Sequence, residues 1–336
     1  MKFSAIFLTL AAGTLLSTAC AQTETTVKQN YADPSRPAVV YFTSDISSEG
    51  LVKVYEALGV TPSGRVAVKI STGESEKSHQ LDPQLIKDLV QNVGGTLVEC
   101  NTAYHGSRYT TEDHLKAIAE RGYNDIATVD IMDSEGDMTI PMQDTTWMKH
   151  NIVGKHLDNY DYLINLAHFK GHAMGGFGGV LKNQSIGVAS RNGKAYIHTA
   201  GAYDTADDNA AFKNPHGQDA FIESMAGAAQ SVHNYFSDRN GIIYIDVMNN
   251  MSVDCDCNGN PATPEMANIG ILASTDPVAL DKACLDLVFN HQNTPEDNNA
   301  ALIERINSRH GTHIIDYAEK IGLGTTNYTL VDIDKK

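Results

Sequence analysis

The segment that decides the fold runs from Arg65-Val-Ala-Val-Lys-Ile70 through residues 83–93 to Thr96-Leu-Val-Glu-Cys100. Its first and last parts are short, mainly apolar runs, which are typical of buried strands, and residues 83–93 are predicted to form a helix. Parallel strands need a crossover connection, which is usually a helix. The segment therefore predicts a parallel sheet with helices on its faces.

The same alternation of strands and helices extends in both directions along the chain. Further strands are predicted at residues 38–42, 126–132, 162–167, 242–247 and 269–273. Further helices are predicted at residues 50–58, 111–121, 220–236 and 277–289. The last of these helices begins after Asp276, a residue suited to an N-cap, and has a proline in its first turn. We expect an α/β fold of largely parallel sheets covered by helices.

The predicted domain organisation is two lobes around a cleft. Residues 38–201 form an N-terminal α/β lobe that contains a glycine-rich loop, and residues 202–336 form a C-terminal α/β lobe. The acidic stretch at residues 202–215 is the main irregular connection between them.

The composition indicates a folded protein that does not bind nucleic acid. Hydrophobic residues make up 42% of the 336 residues and charged residues 20%, close to the average for globular proteins. Lysine and arginine total 25 against 41 aspartate and glutamate residues, so the formal net charge is −16. Such a charge repels phosphate backbones, and no basic run offsets it.

The N-terminus predicts export. Lys2 precedes an apolar stretch at residues 3–16, and the small residues Ala19 and Ala21 follow, which together describe a secretory signal peptide at residues 1–21. The apolar stretch is too short to span a bilayer, and no other segment is long and apolar enough to do so.

The fate of the signal leaves two alternatives. Cleavage after Ala21 would release a chain that starts at Gln22, whereas a lipid on Cys20 would anchor the protein to a membrane. Residues 22–37 are polar and are predicted to form a linker. We expect an exported protein that is periplasmic or lipid-anchored in the cell envelope.

Beyond the signal, the chain has four cysteines: Cys100, Cys255, Cys257 and Cys284. An even number permits disulfides in an oxidising compartment. A bridge between Cys255 and Cys257 would be strained because a single residue separates them. The four thiols could instead hold a metal or an iron–sulfur cluster, although the usual CxxC spacing is missing.

The segment richest in functional residue types is His168-Phe-Lys-Gly-His-Ala-Met-Gly-Gly-Phe-Gly-Gly-Val-Leu-Lys-Asn183. Its glycines allow the backbone to approach a ligand, and backbone N–H groups presented in this way favour an anion such as phosphate or carboxylate. The segment matches neither a Walker loop nor a dinucleotide fingerprint. The predicted anion-binding residues are Lys170, Lys182, Gly175, Gly176, Gly178, Gly179 and, further along the chain, Arg191.

Two other polar segments follow predicted strands. His105 and Arg108 precede the helix at residues 111–121, and Asp254-Cys-Asp-Cys-Asn258 follows the strand at residues 242–247. The second segment could bind a cation or form a turn closed by a disulfide. Because ligands bind beyond the carboxyl ends of strands in open α/β sheets, we expect these segments to meet the glycine-rich loop.

These motifs resemble the family named domain of unknown function 362, whose members are often labelled iron–sulfur centre proteins. The matching stretches begin at Val98-Glu-Cys-Asn-Thr-Ala-Tyr104, at residues 168–194, at Asp254-Cys-Asp-Cys257 and at residues 269–281. Many members carry a ferredoxin-like insert with CxxCxxCxxxCP runs, which this chain lacks. Members also often have Cys where this chain has Val188. Both departures argue against a 4Fe–4S cluster.

A more distant resemblance is to lactate racemase, a nickel-pincer enzyme. Its Gly-Phe-Ser-Gly-Gly-x-Lys motif is similar to Gly176-Phe-Gly-Gly-Val-Leu-Lys182. The resemblance implies a lactate-racemase-like fold in which His105 and His172 are an acid/base pair. It also implies that Lys182 anchors a nickel-pincer-like cofactor and that His198 ligates the metal.

We therefore expect an exported enzyme that depends on a cofactor or divalent metal and acts on a small anionic, hydroxy-acid-like substrate. Its reaction would be of the racemase or oxidoreductase type, with His198, Cys255 and Cys257 as metal ligands. Two alternatives stay open at this point. The protein could be an iron–sulfur or metal-binding protein that uses the CxC loop, or an envelope protein that binds a small ligand without catalysis.

Overall fold

The computed structural model describes residue 1, residues 36–206 and residues 212–335. The predicted signal peptide beyond Met1, and the predicted linker up to residue 35, lie outside the described residues.

The strands, in chain order, are β1 Ala38–Thr43, β2 Val66–Lys69, β3 Thr96–Glu99, β4 Val129–Ile131, β5 Asp137–Pro141, β6 His150–Gly154, β7 Tyr162–His168, β8 Lys170–His172, β9 Gly176–Gly178, β10 Gly241–Met248, β11 Gly270–Ser274 and β12 Tyr328–Asp332. The helices are α1 Ser48–Ala57, α2 Pro83–Asn92, α3 Thr111–Glu120, α4 Val180–Ser185, α5 Arg191–His198, α6 Gln218–Ser237, α7 Pro277–Phe289, α8 Ala300–Ser308 and α9 His313–Lys320. Short 3-10 turns occur at Tyr123–Asp125 and Lys155–Asn159.

A mixed sheet of eight strands, in the order β12-β1-β11-β10-β7-β2-β3-β4, forms the centre of the fold. Its strands run in one direction except for β11, which is antiparallel to both of its neighbours. The smaller pairs β5–β6 and β8–β9 are antiparallel. The prediction of an α/β fold with a largely parallel sheet is confirmed.

Helices cover both faces of this sheet, as the buried pattern of β7 shows. Leu163 and Ala167 belong to one apolar cluster, which includes residues of α4, α6 and α7. Ile164 and Leu166 point to the other face, where they join a cluster that includes residues of α1 and α2. Alternate residues of a strand face opposite sides, and β7 is buried throughout because both sides are covered.

Side-chain caps fix where several helices begin. Asp276 accepts hydrogen bonds from two backbone N–H groups at the start of α7, as its position before Pro277 predicted. Thr110 caps α3 in the same way by accepting from the backbone of Asp113. These caps place the loops that precede the helices, and one of those loops carries Arg108.

The sheet interleaves strands from the two predicted lobes. β1 pairs with β11 and β12, and β7 pairs with β10, so residue 201 does not separate two sheets. The division into two lobes stays a prediction.

Several elements differ from the sequence prediction. The strand predicted at residues 126–132 is limited to β4, because Ile126 ends a 3-10 turn. β12 was not predicted, since it is an edge strand whose residues are partly or fully exposed and therefore lack a long apolar run. Within the described part of the chain, no helix is both long and apolar enough to cross a bilayer.

Candidate functional site

A cavity of about 350 Å³ lies at the carboxyl edge of the sheet. The loops after β2, β3, β7 and β10 contribute to its walls, as expected for an open sheet of parallel strands. Its ionisable lining residues are Lys69, Glu99, Arg108, His168, Lys170, His172, Lys182, Lys194, His198 and Asp256.

The wall formed by β2 and β3 contains a closed network of charges. Lys69 Nζ lies 3.1 Å from a carboxylate oxygen of Glu99, and Arg108 donates to Glu99 at 3.4 Å. Arg108 also pairs with Glu74 at 3.2 Å. Burial alone would raise the pKa of Glu99, but Lys69 and Arg108 lower it to about 2. Each charge on this wall therefore has an opposite charge beside it.

A second charge network involves the loop after β10. The Asp256 carboxylate accepts from Lys170 Nζ at 2.5 Å and from His168 Nδ1 at 3.0 Å. His168 Nε2 donates to the carbonyl of Asn249 at 2.6 Å. Both ring nitrogens of His168 therefore face oxygen atoms, which fixes the orientation of the ring. Burial would raise the pKa of Asp256, but Lys170 and His168 hold it well below its usual range.

A disulfide between Cys255 and Cys257 closes the turn that carries Asp256, with 5.2 Å between the two Cα atoms. That separation lies within the ordinary range for disulfides, so the bridge forms across one intervening residue, and the expectation that it is strained stays a prediction. The backbone carbonyl of Asp256 also accepts from the N–H of Glu74 at 2.8 Å. The disulfide and this bond hold Asp256 against the cavity.

His172 has a defined tautomer. Its Nδ1 accepts backbone N–H groups from Gly175 at 2.8 Å and from Met174 at 3.3 Å. Nδ1 therefore holds a lone pair and Nε2 carries the proton. Burial, followed by the charge of Lys182, lowers the pKa of His172 well below its ordinary value, so the ring is neutral. In this state Nε2 donates a hydrogen bond and does not accept a proton or bind a metal.

His198 has the opposite tautomer. Its Nδ1 donates to the carbonyl of Lys194 at 2.6 Å, which leaves a lone pair on Nε2. Burial is the main cause that lowers the pKa of His198 to about 4. The ring stacks against Phe221, with 4.9 Å between the ring centroids. A neutral imidazole held in this way suits a metal ligand or a proton acceptor, so His198 fits its predicted role.

The metal ligands predicted from the sequence are not brought together as a set. The two sulfurs of Cys255 and Cys257 lie within 4.8 Å of a ring nitrogen of His172 rather than of His198. Among the described residues no other such group of three potential ligands occurs. With both sulfurs in a disulfide and the His172 Nε2 proton in place, this group does not fit a metal ion.

The cysteines also do not form a four-thiol site. Cys100 is buried and its Sγ donates to the carbonyl of Val188 at 3.4 Å. Cys284 is buried in α7, where its Sγ lies 3.9 Å from Asp246. The alternative of an iron–sulfur protein that uses these cysteines with Cys255 and Cys257 is therefore not supported.

Lys182 is the least compensated charge in the cavity. No hydrogen-bond acceptor for its Nζ occurs among the residues that the structure describes. Burial, followed by the charge of Lys170, lowers the pKa of Lys182 to about 7. A Cβ atom at Gly178 would lie 3.5 Å from Lys182 Cδ and 3.7 Å from Lys170 Cε. Glycine at this position therefore keeps the space beside both lysines open.

The glycine-rich segment contributes to the cavity only in part. Gly178 and Gly179 line it, whereas Gly175 and Gly176 do not. Gly175 instead orients His172 through its N–H. Gly176 has a φ of 83° and packs against Gly311, where a Cβ atom would come within 2.7 Å of the Gly311 Cα. Gly175 and Gly176 therefore shape the loop and lie outside the cavity lining, and their binding of an anion stays a prediction.

His105 and Arg191 lie outside the lining of this cavity. His105 is exposed, stacks on Tyr109 with 4.0 Å between centroids, and borders a neighbouring pocket of about 430 Å³. The guanidinium carbon of Arg191 lies 3.6 Å from the centroid of the same Tyr109 ring. The predicted pairing of His105 with His172 across one substrate, and the predicted cofactor-binding role of Arg191, are not supported by these positions.

Sequence reasoning missed the charged residues that close the strands β2 and β3. Lys69 and Glu99 are each the last residue of an otherwise uncharged strand, and each lines the cavity. A charge at the carboxyl end of a buried strand is a usable signal, because that end faces the ligand-binding edge. Lys170 was predicted and lines the cavity, but Asp256 compensates its charge.

Comparison with known proteins gives one family and two structural likenesses. Residues 66–286 match the family described as Domain of unknown function (DUF362). No curated protein matches the chain. The lactate racemase apoprotein from Thermoanaerobacterium thermosaccharolyticum is 14% identical, with a TM-score of 0.40 over 77% of this chain and 58% of that chain. A structural genomics target from Thermotoga maritima is 16% identical, with a TM-score of 0.41 over 71% of this chain and 57% of that chain. The chain thus spans less than two thirds of either structure.

Proposed function

The chain belongs to the family described as Domain of unknown function (DUF362), and we propose that it is a metal- or cofactor-dependent enzyme acting on a small anionic substrate. The observation that carries this proposal is the excess of positive charge around one cavity in a protein whose net charge is −16. Since most of the molecule repels anions, a cationic cavity indicates selection for an anionic ligand.

The charges around the cavity can be compared directly. The carboxylates are Glu99 and Asp256 in the lining, with Glu74 behind Arg108. The cations are Lys69, Arg108, Lys170 and Lys194, to which Lys182 adds in its protonated form. The positive charge therefore exceeds the negative charge even without Lys182, and a bound anion would compensate it.

The cavity also limits the size of the substrate. Its volume of about 350 Å³ lies at the lower end of the range for small-molecule sites. A hydroxy acid or a compound of similar size fits this space. In such a complex, Lys182 can donate a hydrogen bond to one carboxylate oxygen, and His172 can donate another from its protonated Nε2 to a second oxygen.

The tautomers assign the proton-transfer roles differently from the sequence prediction. His172 donates a hydrogen bond, whereas the lone pair on His198 and the neutral form of Lys182 accept a proton. The acceptors for a proton from the substrate carbon are therefore Lys182 and His198 rather than His105. These roles require only the residues that line the cavity.

The same residues fit a divalent metal or a nickel-pincer-like cofactor. With such a group bound, His198 would instead ligate the metal through Nε2 and Lys182 would instead hold the cofactor through its amine, so neither would be the proton acceptor in that form. Such a group would supply the electron-pair-accepting chemistry that side chains lack. The proposal of a racemase or oxidoreductase type of reaction rests on this fit.

The proposal can be tested before the substrate is identified. Protein purified from its own host would be incubated with hydroxy acids and 2-oxo acids in deuterated water, and exchange at the carbon next to the carboxylate followed by NMR. We expect exchange in the wild type and a loss of about 100-fold or more in Lys182→Arg and His198→Ala. Lys116→Ala, at an exposed lysine on α3, is the matched control. Exchange that persists unchanged in both site variants would contradict the proposal, and binding without exchange would favour a non-catalytic binding protein.

We further propose that the protein is exported to the cell envelope. Residues 1–21 support this proposal through their signal-peptide pattern, and the Cys255–Cys257 disulfide supports it because disulfides persist in oxidising compartments. Mass spectrometry of the N-terminus from host membrane and periplasmic fractions is the test. A chain beginning at Gln22, or a lipid on Cys20, is expected, whereas an intact Met1 in the cytoplasm would contradict export.

A further inference from the structure

We propose that Lys182 is a nucleophilic amine that forms an imine with a carbonyl compound carrying a carboxylate or phosphate group. This inference rests on the proposed function and adds to it the reacting bond and the class of compound. It is argued from the position of the amine among the other cations of the cavity.

The position of Lys182 differs from that of the other lysines in the cavity lining. Lys69 donates to Glu99, Lys170 donates to Asp256, and Lys194 donates to the carbonyl of Ala189. Lys182 alone among these four has no acceptor within the described part of the chain. An amine that makes no structural bond is available to react with a ligand.

The helix that carries Lys182 is held firmly in place. The backbone N–H groups of Val180 and Leu181 donate to Asp281 at 2.8 and 3.0 Å. A Cβ atom at Gly179 would lie 2.4 Å from an oxygen of Asp281, so only glycine permits this approach. The backbone of Lys182 is thereby fixed, while its side chain extends into the open space beside Gly178.

The neighbouring charges make the amine reactive and supply the site for the anion. Burial and the charge of Lys170 lower the pKa of Lys182 most strongly. Asp256 raises this pKa, but by less than either of them lowers it, and Arg108 and Lys69 lower it further. His172 and His198, which face the same cavity, are both neutral. Near pH 7 a large fraction of the amine is therefore the free base. The cations that produce this state also attract the carboxylate or phosphate of an incoming carbonyl compound.

The reaction needs no oxidant or reductant. The neutral amine nitrogen attacks the carbonyl carbon, and the carbon–oxygen double bond opens to give a carbinolamine. The two protons of the amine then leave with the former carbonyl oxygen as one water molecule, and a carbon–nitrogen double bond remains. The Nε2 proton of His172 can donate a hydrogen bond to that oxygen as the negative charge develops.

Two kinds of compound share this chemistry and can be distinguished. A small 2-oxo acid, represented by glyoxylate, would be a substrate. A phosphorylated aldehyde would instead be a cofactor that is attached through the same imine, and pyridoxal 5′-phosphate is its probe. The test therefore has two arms, one for each probe, and both are followed at the same lysine.

The test treats the full chain with either probe and cyanoborohydride, which reduces an imine to a stable amine, and locates the adduct by peptide mapping. We expect modification at Lys182 and loss of the adduct in Lys182→Arg. Glycolate has no aldehyde or ketone carbonyl, so it cannot form an imine, and we expect it to protect Lys182 from modification. Between pH 6 and pH 8 the initial rate at Lys182 should rise about tenfold, against about a hundredfold for an amine with the ordinary lysine pKa of about 10.4, because a group with a pKa near 7 is already partly deprotonated at pH 6.

Modification confined to exposed lysines in both arms would overturn the inference, as would an adduct at Lys182 that glycolate does not affect. The protection experiment uses the wild type, so it does not depend on the folding of a variant. Glycolate binding measured by calorimetry separates the two proposals. If glycolate binds but no adduct forms, the imine is excluded and the anion site remains. If glycolate does not bind and no adduct forms, both the anion site and the imine are excluded.

Discussion

Two walls of the same cavity compensate a buried lysine to different extents, although burial lowers the pKa of both Lys69 and Lys182. On the β2–β3 wall, Lys69 lies 3.1 Å from Glu99, and Glu99 is also paired with Arg108. On the α4 wall, Lys182 has no comparable partner among the described residues, and its pKa is lowered to about 7. Burying a charge is unfavourable unless an opposite charge and hydrogen bonds compensate it. The first wall therefore stabilises the fold, and we propose that the second holds a ligand.

The loop that carries Asp256 is intermediate between these two walls. Asp256 compensates Lys170 and His168, but it reaches them from a turn closed by the Cys255–Cys257 disulfide. The position of the Asp256 carboxylate therefore depends on this disulfide, which is not part of the sheet. This loop determines how much positive charge remains for a ligand.

The largest expected effect is on the paired wall. Glu99→Gln removes the carboxylate that compensates Lys69 and Arg108, and we expect a loss of about 3–5 kcal/mol in the free energy of unfolding. Urea denaturation measures this loss. Glu120→Gln, which breaks the exposed pair with Lys116 on α3, is the control and should change stability by about 0.5 kcal/mol or less. Equal effects of the two substitutions would show that the paired wall is not a stabilising element.

Substitution by methionine should change the free energy of unfolding in opposite directions at Lys69 and at Lys182. Lys69→Met leaves Glu99 with one fewer partner and is expected to destabilise the protein. Lys182→Met removes an uncompensated amine and is expected to raise the free energy of unfolding by up to about 4 kcal/mol below pH 7, which corresponds to roughly three pKa units. A decrease in stability for both variants would contradict the comparison.

The gain from Lys182→Met should also depend on pH. The pKa of this lysine is about 7 when folded and about 10.4 when unfolded. Between these values the unfolded chain binds more protons, so the stability of the wild type rises with pH, whereas below pH 7 the penalty is constant. The difference between the variant and the wild type should therefore shrink from pH 7 towards pH 10. Denaturation curves at pH 6, 8 and 9.5 measure this, and a constant difference would exclude the lowered pKa.

The smallest expected effect concerns the intermediate loop. Asp256→Asn frees the charges of Lys170 and His168, and we expect the affinity for a small carboxylate to rise by about tenfold or less. Calorimetric titration with glycolate at low ionic strength measures the change. Weaker binding in this variant would indicate that Asp256 itself contacts the ligand. Asp158→Asn, which affects only surface contacts with Arg239 and Tyr235, is the control.

Local patterns were sufficient to predict the frame of the fold. The strands β2 and β3 and the helix α2 follow from short apolar runs and helical stretches, and the start of α7 follows from Asp276 and Pro277. β12 could not be predicted in this way, because an exposed edge strand pairs through its backbone and shows no buried face.

The site was predictable in outline but not in its pairings. Two glycines of the glycine-rich segment, together with Lys182, His172 and His198, do line one cavity. The charge of Lys170, however, is compensated by Asp256, which lies 86 residues away along the chain. The tautomer of His172 depends on backbone N–H groups, and the misplaced His105 belongs to an adjacent pocket. Such facts arise from tertiary contacts and leave no local pattern in the sequence.

Calorimetric titration of the wild type and of Lys182→Met with glycolate, at two salt concentrations, tests the central claim most directly. The claim is that the cations around Lys182 form a site for a small anion. We expect the wild type to bind glycolate, more weakly at higher salt, and the folded variant to lose most of this affinity. Undetectable binding to the wild type at low salt, or equal affinity in the folded variant, would contradict the claim.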